Sequence, residues 1–232
     1  MKDKLLLKSY IGFSALYLLI ILLDRYDLAW CMKPFLLPFL GLAVLFSEGF
    51  STKKVLLSAL TFSWIGDIIL MFSDKGELYF IFGLVAFLIS HIIYIALFYK
   101  QKNTRTNEKT ALYWTGIFVI LVYFAMMIFL LFPKLGPLKI PVLVYATVIT
   151  TMLYFAFKGS LIWEKSSANA ILSGAIFFVS SDSILAFNKF YAPVPLASFL
   201  IMITYLVAQY FITVGILKLN QKNSIFFFLR KC

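Results

Sequence analysis

Eight apolar runs of bilayer length, joined by short polar linkers, leave this chain few ways to satisfy its own backbone. At membrane depth no water bonds the peptide groups, so each run must close its hydrogen bonds internally, which predicts helices and excludes an open sheet. The runs fall near 5–23, 30–48, 54–73, 78–99, 111–132, 139–157, 168–188 and 194–217. The expected fold is all-α and polytopic, with residues 1–232 forming one integral membrane domain, a single bundle of eight transmembrane helices. Hydrophobic residues make up 62% of the chain and charged residues 13%, a composition that excludes a water-soluble domain. MKDKLLLK is followed by an apolar run to about Leu23 with no small-residue cleavage site, so it reads as a first spanning helix rather than a signal peptide.

Lysine and arginine outnumber acids by 21 to 10. The excess lies in short loops and tails, where it meets anionic headgroups, so membrane lipids are the expected partners and nucleic acid is not. With a cytoplasmic N-terminus the inner side collects Lys2, Lys4, Lys8, Lys53, Lys54, Lys100, Lys102, Arg105, Lys109, Lys158, Lys165, Lys218, Lys222, Arg230 and Lys231. The outer side keeps Arg25, Lys33, Lys75, Lys134, Lys139 and Lys189. This asymmetry predicts a multi-pass protein of the cell membrane, the inner membrane if the source is bacterial, with N- and C-termini cytoplasmic. Cys31 and Cys232 are lone thiols without CxxC spacing, and His91 is the single histidine, so neither a disulfide framework nor a protein-built metal site is indicated and no cofactor is expected.

Two carboxylates stand well inside the apolar runs, Asp67 in FSWIGDIILMF and Asp182 in FFVSSDSILAF. A mid-membrane carboxylate costs at least about 2.5–3.5 kcal/mol, so it faces a bundle interior, a cavity or a partner. Counted from the expected outer helix ends, each lies six residues down, about 9 Å at helical rise, so the two share one depth in the outer half of the membrane. Brought together in low dielectric, such a pair would hold one proton between them and offer an acid and a base at once. Hydrolysis fits that arrangement; a proton-coupled lipid or amphiphile transporter fits it equally, and a Gly-Asp step also suits an intramembrane aspartyl protease. A structural polar contact is the plainer alternative.

Other polar residues cluster near these levels. Gly66 allows close approach beside Asp67, and Ser63 supplies a hydroxyl one turn away. His91, about 20 Å from the expected outer end by helical rise, is placed one or two turns deeper than the aspartates, with Tyr94 on the same face as a partner. Tyr205 and Gln209, four apart, read as the polar lining of one cavity. Lys33, before Pro34, reaches the aspartate level by snorkelling and would bind a phosphate headgroup or a carboxylate. Glu48 reads as an interface charge, and the many phenylalanines and tyrosines as lipid-facing bulk and interfacial belt.

The order Lys33-Pro34, Gly66-Asp67, His91 with Tyr94, Ser181-Asp182 leading into LAFNKF, then Tyr205 with Gln209 resembles the YhhN-like family of membrane lysoplasmalogenases. The resemblance runs from the second predicted helix to the eighth. It implies a metal-independent ether hydrolase that cleaves the vinyl ether of a lysophospholipid substrate, an alkenyl-glycerophosphocholine or -ethanolamine, to a fatty aldehyde and a glycerophospho-alcohol. It implies catalytic carboxyls at Asp67 and Asp182 and substrate-binding roles for Lys33, Ser63, His91, Tyr94, Ser181, Asn188, Tyr205 and Gln209. No protein partner is implied.

Overall fold

Helices account for nearly all of the computed structural model, which describes residues 2–101 and 110–229, with no strand among them. Lys102, Arg105, Lys109, Arg230, Lys231 and Cys232, and the side chain of Lys222, lie outside what is described. The helices are α1 (Lys2–Leu22), α2 (Tyr26–Met32), α3 (Leu36–Leu45), α4 (Lys53–Leu70), α5 (Glu77–Tyr99), α6 (Thr110–Leu131), α7 (Lys139–Ile162), α8 (Lys165–Phe190) and α9 (Ala197–Leu229). Seven segments are long and apolar enough to cross a membrane, with α2 and α3 counting as one span. The remaining predicted span is α4, whose 18 residues include Lys53, Lys54 and Asp67. A multi-pass helical membrane protein is therefore what the fold defines; it does not orient the termini.

The second predicted helix is broken in two by a 3₁₀ turn at Lys33–Phe35. Proline is the cause. Pro38 has no N–H to return to the carbonyl four residues back, so the Pro34 oxygen is left open. The Trp64 indole Nε1–H donates to that oxygen at 2.7 Å. One side chain thus repairs the ladder and ties α4 to the break.

Helix ends also shift from their predicted places. Helix α4 stops at Leu70, with a separate 3₁₀ turn at Ser73–Lys75. Helix α7 continues to Ile162, past the expected 157, and α8 begins at Lys165, capped by Glu164, whose side chain accepts from the Ser167 N–H at 3.0 Å. Helix α9 runs well past 217.

Helices α8 and α9 meet along small residues. A Cβ on Gly174 would lie 2.8 Å from the Ile212 nitrogen and 2.9 Å from the Ala208 oxygen, and one on Gly215 would lie 3.1 Å from the Ser167 oxygen. Backbone lies directly on backbone here, the close packing that small residues permit in membranes where apolar side chains gain nothing by leaving lipid. At the other extreme, the Ala111–Lys134 span is only 6% buried. Its face is apolar, with Trp114, Phe118 and Phe129 all exposed. The hydrophobic core runs from Tyr10 and Tyr17 on α1 to Ile212 and Ile216 on α9, with Ile120 its one buried residue from α6 among the described residues.

Candidate active site

Packing of α4, α5, α7, α8 and α9 stacks the polar side chains in two levels. On the first, the Tyr205 hydroxyl donates to Asp67 Oδ2 at 2.6 Å and the Tyr145 hydroxyl donates to Asp182 Oδ2 at 2.5 Å. His91 Nε2 lies 3.6 Å from that same Asp182 oxygen. The two halves are joined through rings. Phe178 meets His91 with centroids 4.7 Å apart and Tyr205 at 5.5 Å, and Phe87 meets Tyr205 at 5.8 Å.

Direct pairing of the carboxyls, which an equal depth would permit, is not made. Asp67 and Asp182 share no hydrogen bond; each takes its own tyrosine, although their charges are close enough to interact. A phenol is the better partner in low dielectric, since it donates to a carboxylate without adding a second negative charge. Gly66 does allow a close approach, and what approaches is the Phe87 ring, whose Cδ2 would lie 2.7 Å from a Cβ there.

One turn away, the second level is a closed relay. Tyr94 donates to Gln209 Oε1 at 2.6 Å, Gln209 Nε2 donates to Ser63 Oγ at 2.9 Å, Ser63 and Ser90 hydroxyls meet at 2.7 Å, and Ser90 donates to the Ala59 carbonyl at 2.8 Å. With Ser90 committed to the carbonyl, Ser63 must be the donor to Ser90, so every link has one donor and one acceptor. All four side chains are fully buried. Tyr94 therefore partners Gln209 and not His91, and Tyr205 and Gln209 serve different levels instead of lining one cavity. The relay clamps α4, α5 and α9 together.

His91 is fully buried, and neither ring nitrogen has a hydrogen bond of good geometry. Its side chain reaches Asp182 although its backbone follows Ser90, whose hydroxyl meets Ser63 one turn deeper than Asp67, in keeping with the deeper placement expected relative to that aspartate. The helix ends are not flush, so residues counted from the ends do not measure depth. Asp182 is eight residues before the end of α8, whereas Asp67 is three before the end of α4.

The remaining predicted residues take separate places. Ser181 donates to the Ile201 carbonyl at 2.9 Å, fastening α8 to α9. Asn188 Oδ1 accepts from the Val194 N–H at 2.9 Å and shapes the α8–α9 turn. Lys33 is half-buried and near enough to Asp67 for their charges to attract, without a direct ion pair. Cys31 is a free, exposed thiol.

Tyr145, Ser90 and Tyr123, which hydrogen-bonds Ser183, were not singled out from the sequence. Tyr145 lies six residues inside α7, too far in for an interfacial belt, and that depth is the signal that was available. Asp182 and Tyr145 also line a narrow cleft between α5, α7 and α8, completed by Phe80, Leu84, Val142, Leu185, Ala186 and Phe190. Its volume is about 30 Å³, room for one or two waters. Asp182 has 12% of its side chain exposed, while Asp67 is buried.

Fold and site together define a multi-pass helical membrane protein with an embedded carboxyl, phenol and imidazole cluster. Residues 28–216, which include every site residue named above, match the YhhN family. The chain belongs to that family. It is 34% identical over 187 residues to lysoplasmalogenase TMEM86A of Homo sapiens, covering 78% of this chain and 71% of that protein. It is 31% identical over 194 residues to lysoplasmalogenase TMEM86A of Bos taurus (80% and 73%), and 28% identical over 172 residues to lysoplasmalogenase TMEM86B of Mus musculus (74% and 67%). No solved structure matches the chain.

Proposed function

We propose that the protein is a lysoplasmalogenase, an ether hydrolase that adds water across the vinyl ether of a lysoplasmalogen to release a fatty aldehyde and a glycerophospho-alcohol. The observation that carries this reading is Asp182, a carboxyl held by Tyr145 beside His91 at the floor of an apolar cleft, in a chain similar to lysoplasmalogenases over most of its length. Vinyl ethers are cleaved by protonation of the carbon distal to oxygen. Water captures the resulting oxocarbenium ion, and the hemiacetal collapses to aldehyde and alcohol, so one water is consumed and no redox partner is needed.

In this mechanism Asp182 donates the proton to carbon. Tyr145 occupies Oδ2, which leaves Oδ1 to carry it. Asp67, ionised and facing the same ring layer, stabilises the developing cation, and the proton released when water adds returns to the Asp182 carboxylate, which restores the acid. His91 screens Asp182 and orders the attacking water. The reaction as written uses no metal. The basic-residue asymmetry supports a cell-membrane protein with both termini in the cytoplasm and this cluster toward the outer leaflet.

The test is aldehyde release from alkenyl-glycerophosphoethanolamine by purified protein, parent against Asp67→Asn and Asp182→Asn. Aldehyde from the parent and none from either variant is expected. An active Asp182→Asn enzyme would sink the assignment, and proton flux driven by the lipid in proteoliposomes without aldehyde would make the protein a transporter.

A further inference from the structure

The cleft at Asp182 is directional. Along α8 it is lined by Asp182, Leu185, Ala186 and Phe190, two turns that lead from the carboxyl to the end of the helix. On α5 the Phe80 and Leu84 side chains face them. At the helix-end side of the cleft the buried Phe80 packs edge to face with Phe190 at 5.9 Å. Over the Phe80 ring, 4.9 Å from its centre, sits the ammonium of Lys189. Lys189 is exposed and in no ion pair among the described residues.

This is a carboxyl at the deep end, hydrocarbon walls along the length, and one cation at the lip. The seven residues from Asp182 to Lys189 span about 10 Å at helical rise, a gap that a glycerol unit and a flexible lysine side chain can bridge. A lysophospholipid spaces its anionic phosphate from the reactive ether by one glycerol, so with the phosphate at Lys189 the ether reaches Asp182 and the single chain runs on beyond it as the groove widens. Lys33, by contrast, lies beside the sealed Asp67 and lines no part of the cleft.

Resting on the lysoplasmalogenase reading, we propose that this cleft is the substrate groove: a single-chain lysophospholipid enters it sideways from the bilayer, its phosphate on Lys189 and its ether at Asp182. Lys189, and not Lys33, is then the headgroup ligand.

The experiment compares two unhydrolysable ligands, 1-O-alkyl-glycerophosphocholine and 1-O-alkyl-glycerol, by the concentration of each that raises the unfolding temperature of the full-length protein in detergent. Lys189→Gln should weaken the phosphate-bearing ligand about tenfold and leave the headgroup-free one unchanged. Leu84→Trp, filling the groove, should abolish stabilisation by both. The exposed position of Lys189 makes its substitution independent of folding, so the test stands even if Leu84→Trp does not fold. Stabilisation of Leu84→Trp as strong as that of the parent, the phosphate-specific loss at Lys33→Gln instead of Lys189→Gln, or no stabilisation of the parent by either lipid would overturn the groove. Because binding is the readout, a parent that binds as expected but releases no aldehyde would overturn the hydrolase reading and leave the groove standing.

Discussion

Asp67 and Asp182 each accept one tyrosine hydroxyl, yet one is sealed and the other stands open on a cleft. Asp67 is closed in by Tyr205, by the Phe87 ring lying over Gly66 and by the attraction of Lys33. Asp182 keeps part of its side chain open on a cleft and has an imidazole 3.6 Å away. A buried carboxyl can steady a cation at a distance, but a proton donor has to reach the reacting carbon.

The largest expected effect is at the open carboxyl. Asp182→Asn should lower aldehyde release by about 10³-fold, within the range for loss of a general acid, with the unfolding temperature at or above that of the parent. Asp67→Asn should also lose turnover; retention there with loss at Asp182 would break the two-carboxyl mechanism while keeping the comparison.

The two tyrosines sharpen it further. Tyr145→Phe should reduce kcat about 10- to 100-fold with little change in unfolding temperature, since it frees a carboxyl that still has the cleft. Tyr205→Phe should act mainly on stability, about 1.5–3 kcal/mol, because a sealed charge loses its hydrogen-bond donor. Thermal unfolding and steady-state kinetics on both variants decide between these patterns, and a reversed pattern would exchange the roles of the two sites.

Smaller effects are expected away from both carboxyls. Gln209→Leu leaves the Tyr94 and Ser63 hydroxyls buried without their partner and should cost about 1–3 kcal/mol in denaturant unfolding with KM unchanged. Trp64→Phe removes the bond that repairs the Pro34 carbonyl and should cost about 1 kcal/mol.

The helical frame, the two aspartates and the family were legible because each is written in one dimension, as run length, charge inside a run, or order of short motifs. Partnerships were not. Whether Tyr94 meets His91 or Gln209 depends on how α5 is rotated against α9, and nothing in a single helix records that rotation. The break at Lys33–Phe35 was readable in principle from Pro34 and Pro38, whereas its repair by Trp64, thirty positions later, was not.

The glycine seam between α8 and α9 also decides which part of the protein can yield. With Gly174 and Gly215 laid against opposing backbone, those two helices act as a single stiff plate, and Asp182 rides on it. A gap sized for a water or two must widen to admit a lipid, and that plate has no slack to give. On the proposed reading the opening movement falls to α5 and α7, the other two walls of the cleft, while the Tyr123–Ser183 hydrogen bond ties α6 to the plate.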